Sequence, residues 1–158
     1  MPDIIIKNAT LVTMNDNRDV HHEASILIDQ GTIQDIILQK ESRDLPPADK
    51  VIGGQKHIAL PGLINTHFHL PQVMMRGIYD SIEALDKLKN YTWPIQGNYS
   101  EDVALVSAQL GVLEMIKSGT TSFISTGLHP RYGIDRIAEM ILNSGMRAAI
   151  SKYVMDTN

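Results

Sequence analysis

The chain has 158 residues, a length that suits one domain, with 43% hydrophobic residues, 20% charged residues and a net charge of −4. The basic residues are scattered and the balance is mildly acidic, which argues against nucleic acid as a partner. The sequence contains no cysteine, so disulfides and thiolate metal sites are excluded.

The N-terminal stretch lacks the basic start and the long apolar run of a signal peptide. No uninterrupted apolar run approaches the roughly 20 residues that a membrane-spanning helix needs. From these features we expect a cytoplasmic protein that has no membrane partner.

The first part of the chain predicts short β-strands. Residues 3–14 and 24–38 are rich in Ile, Val, Leu and Thr, and turn residues interrupt both stretches. The sequence Asp29-Gln30-Gly31 separates two apolar runs and predicts a hairpin loop in which Gly31 takes a positive φ. A polar, proline-containing connection at residues 43–50 follows. Residues 57–67 then predict a buried extended segment.

The second part changes to a helical period between residues 101 and 118, with Ser100 as an N-cap and Gly119 as the stop. The apolar residues at this spacing are Val103, Val106, Leu110 and Leu113. A second helix is predicted around residues 134–141, ended by Gly145.

Strands are predicted near residues 60–66, 121–126 and 147–154, so strands and helices alternate in the second part. Such alternation is typical of parallel strands joined by crossover helices.

Two histidines, His67 and His69, stand one residue apart at the end of the first of these strands. Side chains alternate along a strand, so the two imidazoles point to the same side and can offer two nitrogen lone pairs to one cation. The alternative is a pair of satisfied polar residues at a strand end. Their place at the carboxyl end of a β/α series favours the metal site, because functional loops converge there.

The stretch LPGLINTHFHLPQVMMRG, residues 60–77, resembles the opening of the amidohydrolase superfamily. The similarity is to its cytosine-deaminase-like branch, which includes S-adenosylhomocysteine and guanine deaminases and triazine chlorohydrolases. It continues through residues 93–123, which resemble the family's first helix and its Gly-Thr-Thr second strand. Residues 145–156 resemble the third strand.

This resemblance implies an α/β fold. Residues 58–158 would form the N-terminal part of a (β/α)8 TIM barrel, with its first three strands, and residues 1–57 would supply strands of a small β-sandwich domain. A complete barrel takes about 250 residues, and family members carry their remaining metal ligands and acid/base groups on later strands. The resemblance therefore places no catalytic residue within this segment, and we expect the segment alone to be inactive.

The function that the resemblance implies is a metal-dependent amidohydrolase that hydrolyses a C–N bond, a deaminase of a heterocyclic base or nucleoside-like small molecule. His67 and His69 would be metal ligands for one divalent ion, zinc first, with iron or manganese as alternatives. Two other functions stay open: hydrolytic dechlorination of a triazine-like ring, and a non-enzymatic scaffold of the same fold. Family members are often homo-oligomers.

The resemblance also implies substrate-binding positions, namely Gln72, Trp93, Gln96 and Lys152. Gln96 stands where adenosine-type deaminases carry a Glu that binds ribose hydroxyls, and Lys152 where they carry an Arg. Lys cannot make the bidentate contact of an Arg. The substrate is therefore left open between an S-adenosylhomocysteine-like molecule and a smaller heterocycle such as guanine, a triazine or a pyrimidine. The alternatives are core packing for Trp93, turn capping for Gln72, and surface or structural roles for Gln96 and Lys152.

For two further polar residues in the second part of the chain, we expect no direct role in the site. We interpret Arg76 as an anchor of its loop, and His129, which precedes a proline, as a solvated residue.

Overall fold

The computed structural model describes residues 1–79 and 81–154. The chain divides into two compact units, one from Met1 to Pro61 and one from Gly62 onward. Among the described residues, no helix combines the length and the apolar character needed to cross a bilayer.

The first unit is a five-stranded sheet with the order β3-β2-β1-β4, in which β5 also pairs with β1. Its strands are β1 (Ile4–Val12), β2 (Val20–Asp29), β3 (Thr32–Ile37), β4 (Lys50–Gly53) and β5 (Ile58–Ala59). The β1–β2 and β2–β3 pairs are antiparallel, whereas β4 and β5 run parallel to β1. A small core of Leu11, Ala24 and Ile26 lies on one face.

The hairpin between β2 and β3 confirms the loop predicted at Asp29-Gln30-Gly31. Asp29 pairs with Thr32, so the connection has two residues. Gln30 and Gly31 have φ values of 47° and 72°. Positive φ at both positions is the requirement of a type I′ turn, whose twist matches that of the flanking strands.

Residues 1–61 form a single sheet, so the second layer of a sandwich does not come from this part of the chain. The assignment of a β-sandwich domain stays a prediction. Ile58 and Ala59 pair with β1 and belong to the first unit, whereas the predicted barrel portion began at residue 58.

The second unit is a three-stranded parallel sheet with the order β6-β7-β8. Its elements are β6 (Leu63–Phe68), α1 (Ala84–Lys87), α2 (Trp93–Gly97), α3 (Glu101–Lys117), β7 (Thr120–Leu128), α4 (Ile134–Asn143) and β8 (Arg147–Lys152). Short 3-10 turns at Leu70–Met75 and Pro130–Tyr132 follow β6 and β7. This confirms the predicted order of strands and crossover helices. The stretch predicted to resemble the third strand ends in two residues, 155 and 156, that lie outside the described residues.

Helix α3 begins at the predicted N-cap, where the Ser100 hydroxyl accepts from the Val103 N–H at 3.3 Å. Its buried face consists mainly of small residues: Ala104, Ser107, Ala108, Gly111, Val112 and Met115. A side chain at Gly111 would bring a Cβ within 2.8 Å of the Phe68 ring, so the small residues let the helix approach β6 closely. The apolar residues whose spacing predicted α3 lie on its exposed face.

The prediction that residues 57–67 form a buried segment is wrong. Leu63 and Ile64 are 52% and 70% exposed. Within the described chain β6 pairs with a strand on one side only, and of its residues only Phe68, at the carboxyl end, packs against the core formed with α3 and α4. The strand also ends later than predicted, so His67 lies within it.

Candidate metal and substrate site

His67 and His69 converge at the carboxyl end of β6. Their Nε2 atoms are 3.2 Å apart, and the two rings meet edge to face with centroids 5.1 Å apart. A tetrahedral zinc ion with Zn–N bonds of about 2.0–2.1 Å holds two nitrogens about 3.3–3.4 Å apart. The separation of the two Nε2 atoms therefore fits two ligands of one divalent ion.

Thr126, near the end of β7, fixes the orientation of the second imidazole. Nδ1 of His69 lies 3.4 Å from the Thr126 carbonyl oxygen and 3.3 Å from its hydroxyl. A carbonyl can only accept, so this contact favours the tautomer with the proton on Nδ1, which leaves the Nε2 lone pair for a cation. Metal-binding histidines are commonly oriented by such a contact on the other ring nitrogen.

Two buried serines hold the residue that follows His69. The Ser125 hydroxyl accepts from the Leu70 N–H at 3.1 Å, and the Ser107 hydroxyl donates to the Leu70 carbonyl at 2.8 Å. Leu70, Ser107 and Ser125 are all fully buried. The backbone just after the histidine pair is therefore fixed from both α3 and β7, which limits how far the pair can move.

Sequence reasoning missed Thr126, Ser107 and Ser125. Their contacts join residues up to 57 positions apart, and a serine or threonine on a helix or strand carries no local sign of such a contact. The only available signal was that Thr126 falls at the carboxyl end of a predicted strand, where functional residues gather.

The described parts of the chain, residues 1–79 and 81–154, contain no group of three or more His, Cys, Asp or Glu side chains that could hold a metal ion. A catalytic zinc site normally has three protein ligands and a water. The histidine pair thus supplies part of a ligand set.

A cleft of about 400 Å³ adjoins His69. It is lined by Phe68, His69, Gln72, Val73, Met75, Arg76, Gly77, Tyr79 and Lys87. Of the predicted substrate-binding residues, Gln72 is the one that this cleft brings next to the histidine pair.

Arg76, at the rim of the same cleft, is an anchor, as predicted. Its guanidinium donates to both carboxylate oxygens of Glu114 at 2.7 and 2.8 Å and to the Val73 carbonyl at 3.1 Å. The hydrogen bond and the negative charge of Glu114 raise the pKa of Arg76 above its ordinary value. This contact joins the loop after β6 to helix α3.

Gln96 is buried in α2, with 4% of its surface exposed. Within the described part of the chain, neither its amide nitrogen nor its amide oxygen has a hydrogen-bond partner. Buried polar groups are nearly always paired, so an unpartnered amide at this position needs an explanation. A ligand group that offers both a donor and an acceptor would provide one.

Trp93 and Lys152 have no described contact with the histidine pair. Trp93 is half-buried in α2. Lys152 is exposed at the end of β8, and alternation along the strand places it on the face of Ile150, which packs against the helical core. Their roles in substrate binding stay predictions.

His129 is less exposed than the solvated residue that we expected from the sequence. It is half-buried, its Nδ1 accepts from the Arg131 N–H at 3.1 Å, and its ring lies 5.7 Å from that of Tyr132. The residue helps to shape the turn that follows β7.

Comparison with known proteins identifies the family. The sequence model of the amidohydrolase family matches residues 58–158. The chain belongs to the amidohydrolase family. This amidohydrolase is 40% identical over 147 residues to the 5-methylthioadenosine/S-adenosylhomocysteine deaminase of Bacillus cereus strain B4264, an alignment that covers 92% of the chain and 33% of that protein. The chain therefore spans about a third of the length of such relatives.

Solved structures agree with this assignment. The amidohydrolase superposes on atrazine chlorohydrolase from Arthrobacter aurescens TC1, solved with zinc, with a TM-score of 0.81 and 27% identity over 98% of this chain and 36% of that one. Guanine deaminase from C. acetobutylicum, solved with bound guanine, gives a TM-score of 0.80 and 26% identity over 98% of this chain and 37% of that one. The predicted fold class is confirmed: β6, β7 and β8 are the first three strands of a β/α barrel fold.

Proposed function

We propose that this amidohydrolase chain corresponds to the N-terminal third of a metal-dependent aminohydrolase, which removes an amino group from a heterocyclic base or nucleoside. The observation that carries the proposal is the 3.2 Å approach of the His67 and His69 Nε2 atoms at the end of the first barrel strand. Deaminases of 5-methylthioadenosine and of guanine among its relatives support the reaction class.

His67 and His69 would hold one divalent ion, and zinc is the first candidate because imidazole nitrogens suit it. When bound, the metal supplies hydroxide at neutral pH by lowering the pKa of water. Thr126 keeps the proton of His69 on Nδ1, so that Nε2 faces the ion. Ser107 and Ser125 keep the following backbone in place.

The substrate would occupy the space next to this pair. Gln72 lines the cleft beside His69 and would contact the heterocycle there. Gln96 would hydrogen-bond to a polar group of the substrate, a role supported by its buried and unpartnered amide. Trp93 and Lys152 complete the proposed set. The residues that transfer protons to the leaving group are expected outside this segment, which alone would be inactive.

Hydrolytic dechlorination is the second candidate function, because the fold superposes on atrazine chlorohydrolase. An activated hydroxide can displace chloride or an amine from the same kind of ring carbon. The higher sequence identity to the methylthioadenosine deaminase, 40% against 27%, favours deamination. A non-enzymatic scaffold would give no reason for two imidazoles to converge at this end of the strand.

The test uses the full-length protein and measures metal content together with product release. Candidate substrates are 5-methylthioadenosine, S-adenosylhomocysteine, guanine and a chlorotriazine, with ammonia and chloride measured separately. We expect ammonia release by the wild type, and loss of both metal and activity in His67→Ala and His69→Ala. The control is His57→Ala, an exposed histidine of the first unit, which should keep both.

Three results would contradict parts of this proposal. Chloride release without ammonia would favour the dechlorinase. A wild-type protein purified with zinc that retains none would favour the scaffold. Full metal content and activity in both histidine variants would remove the proposed site.

A further inference from the structure

The segment that carries Gln96 is held by the turn that follows β7. The Tyr132 hydroxyl donates to the Gln96 carbonyl oxygen at 2.8 Å, in a buried environment. The Arg131 guanidinium donates to the carbonyl of the next residue, Gly97, at 3.1 Å. The same Gln96 oxygen also accepts from the Tyr99 N–H at 3.1 Å. Two consecutive carbonyls of α2 are therefore fixed by one turn.

The hydrogen bond from Tyr132 binds the backbone of Gln96, and the Gln96 side chain takes no part in it. The amide nitrogen and oxygen have no partner among the described residues although the side chain is buried. A glutamine whose backbone could shift would turn its amide towards water, since an unpaired buried polar group is unfavourable. The Tyr132 contact opposes that shift.

We propose that Tyr132 is a positioning residue for substrate binding, which holds the Gln96 backbone so that the Gln96 amide faces the substrate. The inference rests on the proposed function, because the ligand of Gln96 is taken to be the heterocyclic substrate. A primary amide offers one acceptor and two donors without a charge. A substrate group that pairs with both ends of this amide carries both a donor and an acceptor, as a hydroxyl pair or a lactam edge does.

The protonation state of Tyr132 is suited to this role. Burial, followed by the neighbouring Tyr99 and Tyr153, raises the pKa of Tyr132 to about 12. The hydroxyl thus remains a donor throughout the neutral range, and the contact does not change when the pH of an activity assay is varied around 7.

The decisive experiment is a double-mutant cycle in the full-length protein, measured as KM and kcat for deamination of 5-methylthioadenosine. Tyr132→Phe removes only the donor and should raise KM about tenfold, the effect of one lost hydrogen bond, with kcat and metal content within about twofold. Gln96→Ala should raise KM at least as much. If Tyr132 acts through Gln96, the double variant should match Gln96→Ala.

Tyr99→Phe is the matched control. Its ring lies 6.1 Å from that of Tyr132, its hydroxyl makes no described hydrogen bond, and its N–H contact to Gln96 is kept, so KM should not change. Additive effects of the Tyr132 and Gln96 substitutions, or an equal rise in KM for Tyr99→Phe, would overturn the inference in favour of a general structural role.

Amide hydrogen exchange separates this inference from the proposed function, since it needs no substrate. Tyr132→Phe should speed exchange at the Asn98 and Tyr99 amides, which donate to carbonyls of α2, whereas Tyr99→Phe should not. If Tyr132→Phe exchanges faster but the wild-type protein deaminates no heterocycle, the proposed function and the substrate role would be overturned. The contact between Tyr132 and Gln96 would still be established. Unchanged exchange in Tyr132→Phe would overturn the positioning role directly.

Discussion

Ser125→Ala tests whether the backbone after the histidine pair is fixed by buried hydrogen bonds. Ser125 and Leu70 are fully buried, and the Ser125 hydroxyl accepts from the Leu70 N–H at 3.1 Å. Leu70 is the first residue of a 3-10 turn, so its N–H has no partner within that turn. Without the hydroxyl this donor would be buried and unpaired. Such a loss costs about 1–3 kcal/mol.

The expected result for the full-length protein is a free energy of unfolding lower by about 1–3 kcal/mol, measured by urea denaturation with circular dichroism. Because Leu70 follows His69 directly, zinc affinity should also fall, by about 10–100-fold, the usual effect of losing a group that orients a metal ligand. Competition with a chromophoric chelator measures this affinity.

Ser122→Ala is the matched control, since Ser122 lies on the same strand, is half-buried and makes no described side-chain hydrogen bond. It should change the free energy of unfolding by less than about 0.5 kcal/mol. Equal stabilities of the two variants would refute the argument about the unpaired N–H. A destabilised Ser125→Ala that binds zinc normally would refute the link from the buried serine to the metal site.

Three further predictions concern the second unit. Gly62→Ala should destabilise the protein by about 1–3 kcal/mol in urea denaturation, because a Cβ there would overlap the Thr121 side chain; an unchanged midpoint would contradict this packing. Thr126→Val removes the hydroxyl contact to His69 and keeps the carbonyl contact, so it should weaken zinc binding by up to about tenfold in the chelator assay, whereas Thr126→Ser should bind zinc as the wild type does. Equal affinities of the two variants would exclude a role for that hydroxyl. The pKa of Tyr132 rises from 10.0 to about 12 on folding, so the folded state holds this proton more tightly. The free energy of unfolding should therefore fall as the pH rises between about 10 and 12. Denaturation measured across this pH range should show a smaller fall in Tyr132→Phe, and a curve identical to that of the wild type would contradict the pKa assignment.

Local sequence patterns predicted the long strands and the two long helices of this fold, whereas they missed β4 and the short helices α1 and α2. The β2–β3 hairpin follows from a turn residue between two apolar runs, and α3 follows from its apolar period and its Ser100 cap. The buried face of α3 could not be predicted in the same way. It is decided by how closely Gly111 approaches Phe68, and that contact depends on the tertiary packing of the helix against the sheet.

In the candidate site too, contacts set by neighbouring residues were predictable and contacts set by tertiary packing were not. Alternation along a strand places His67 and His69 on one side, so their pairing was predictable from adjacent residues. The contacts of Thr126 and Ser125 depend on the register between β6 and β7, which the sequence of either strand alone does not specify. The unpartnered amide of Gln96 likewise becomes visible only when its burial is known.

Because the Tyr132 hydroxyl donates to the main-chain oxygen of Gln96, the hydrogen bond does not depend on the side chain at that position. Every amino acid possesses that oxygen, so a substitution at position 96 keeps the acceptor of the Tyr132 hydrogen bond. A carboxylate, an amide or a hydroxyl could be tried there by a single codon change while the scaffold stays in place. Under the proposed role of Gln96, ligand preference would then change without a change in the contact that holds α2, and a saturation library at this codon would test that.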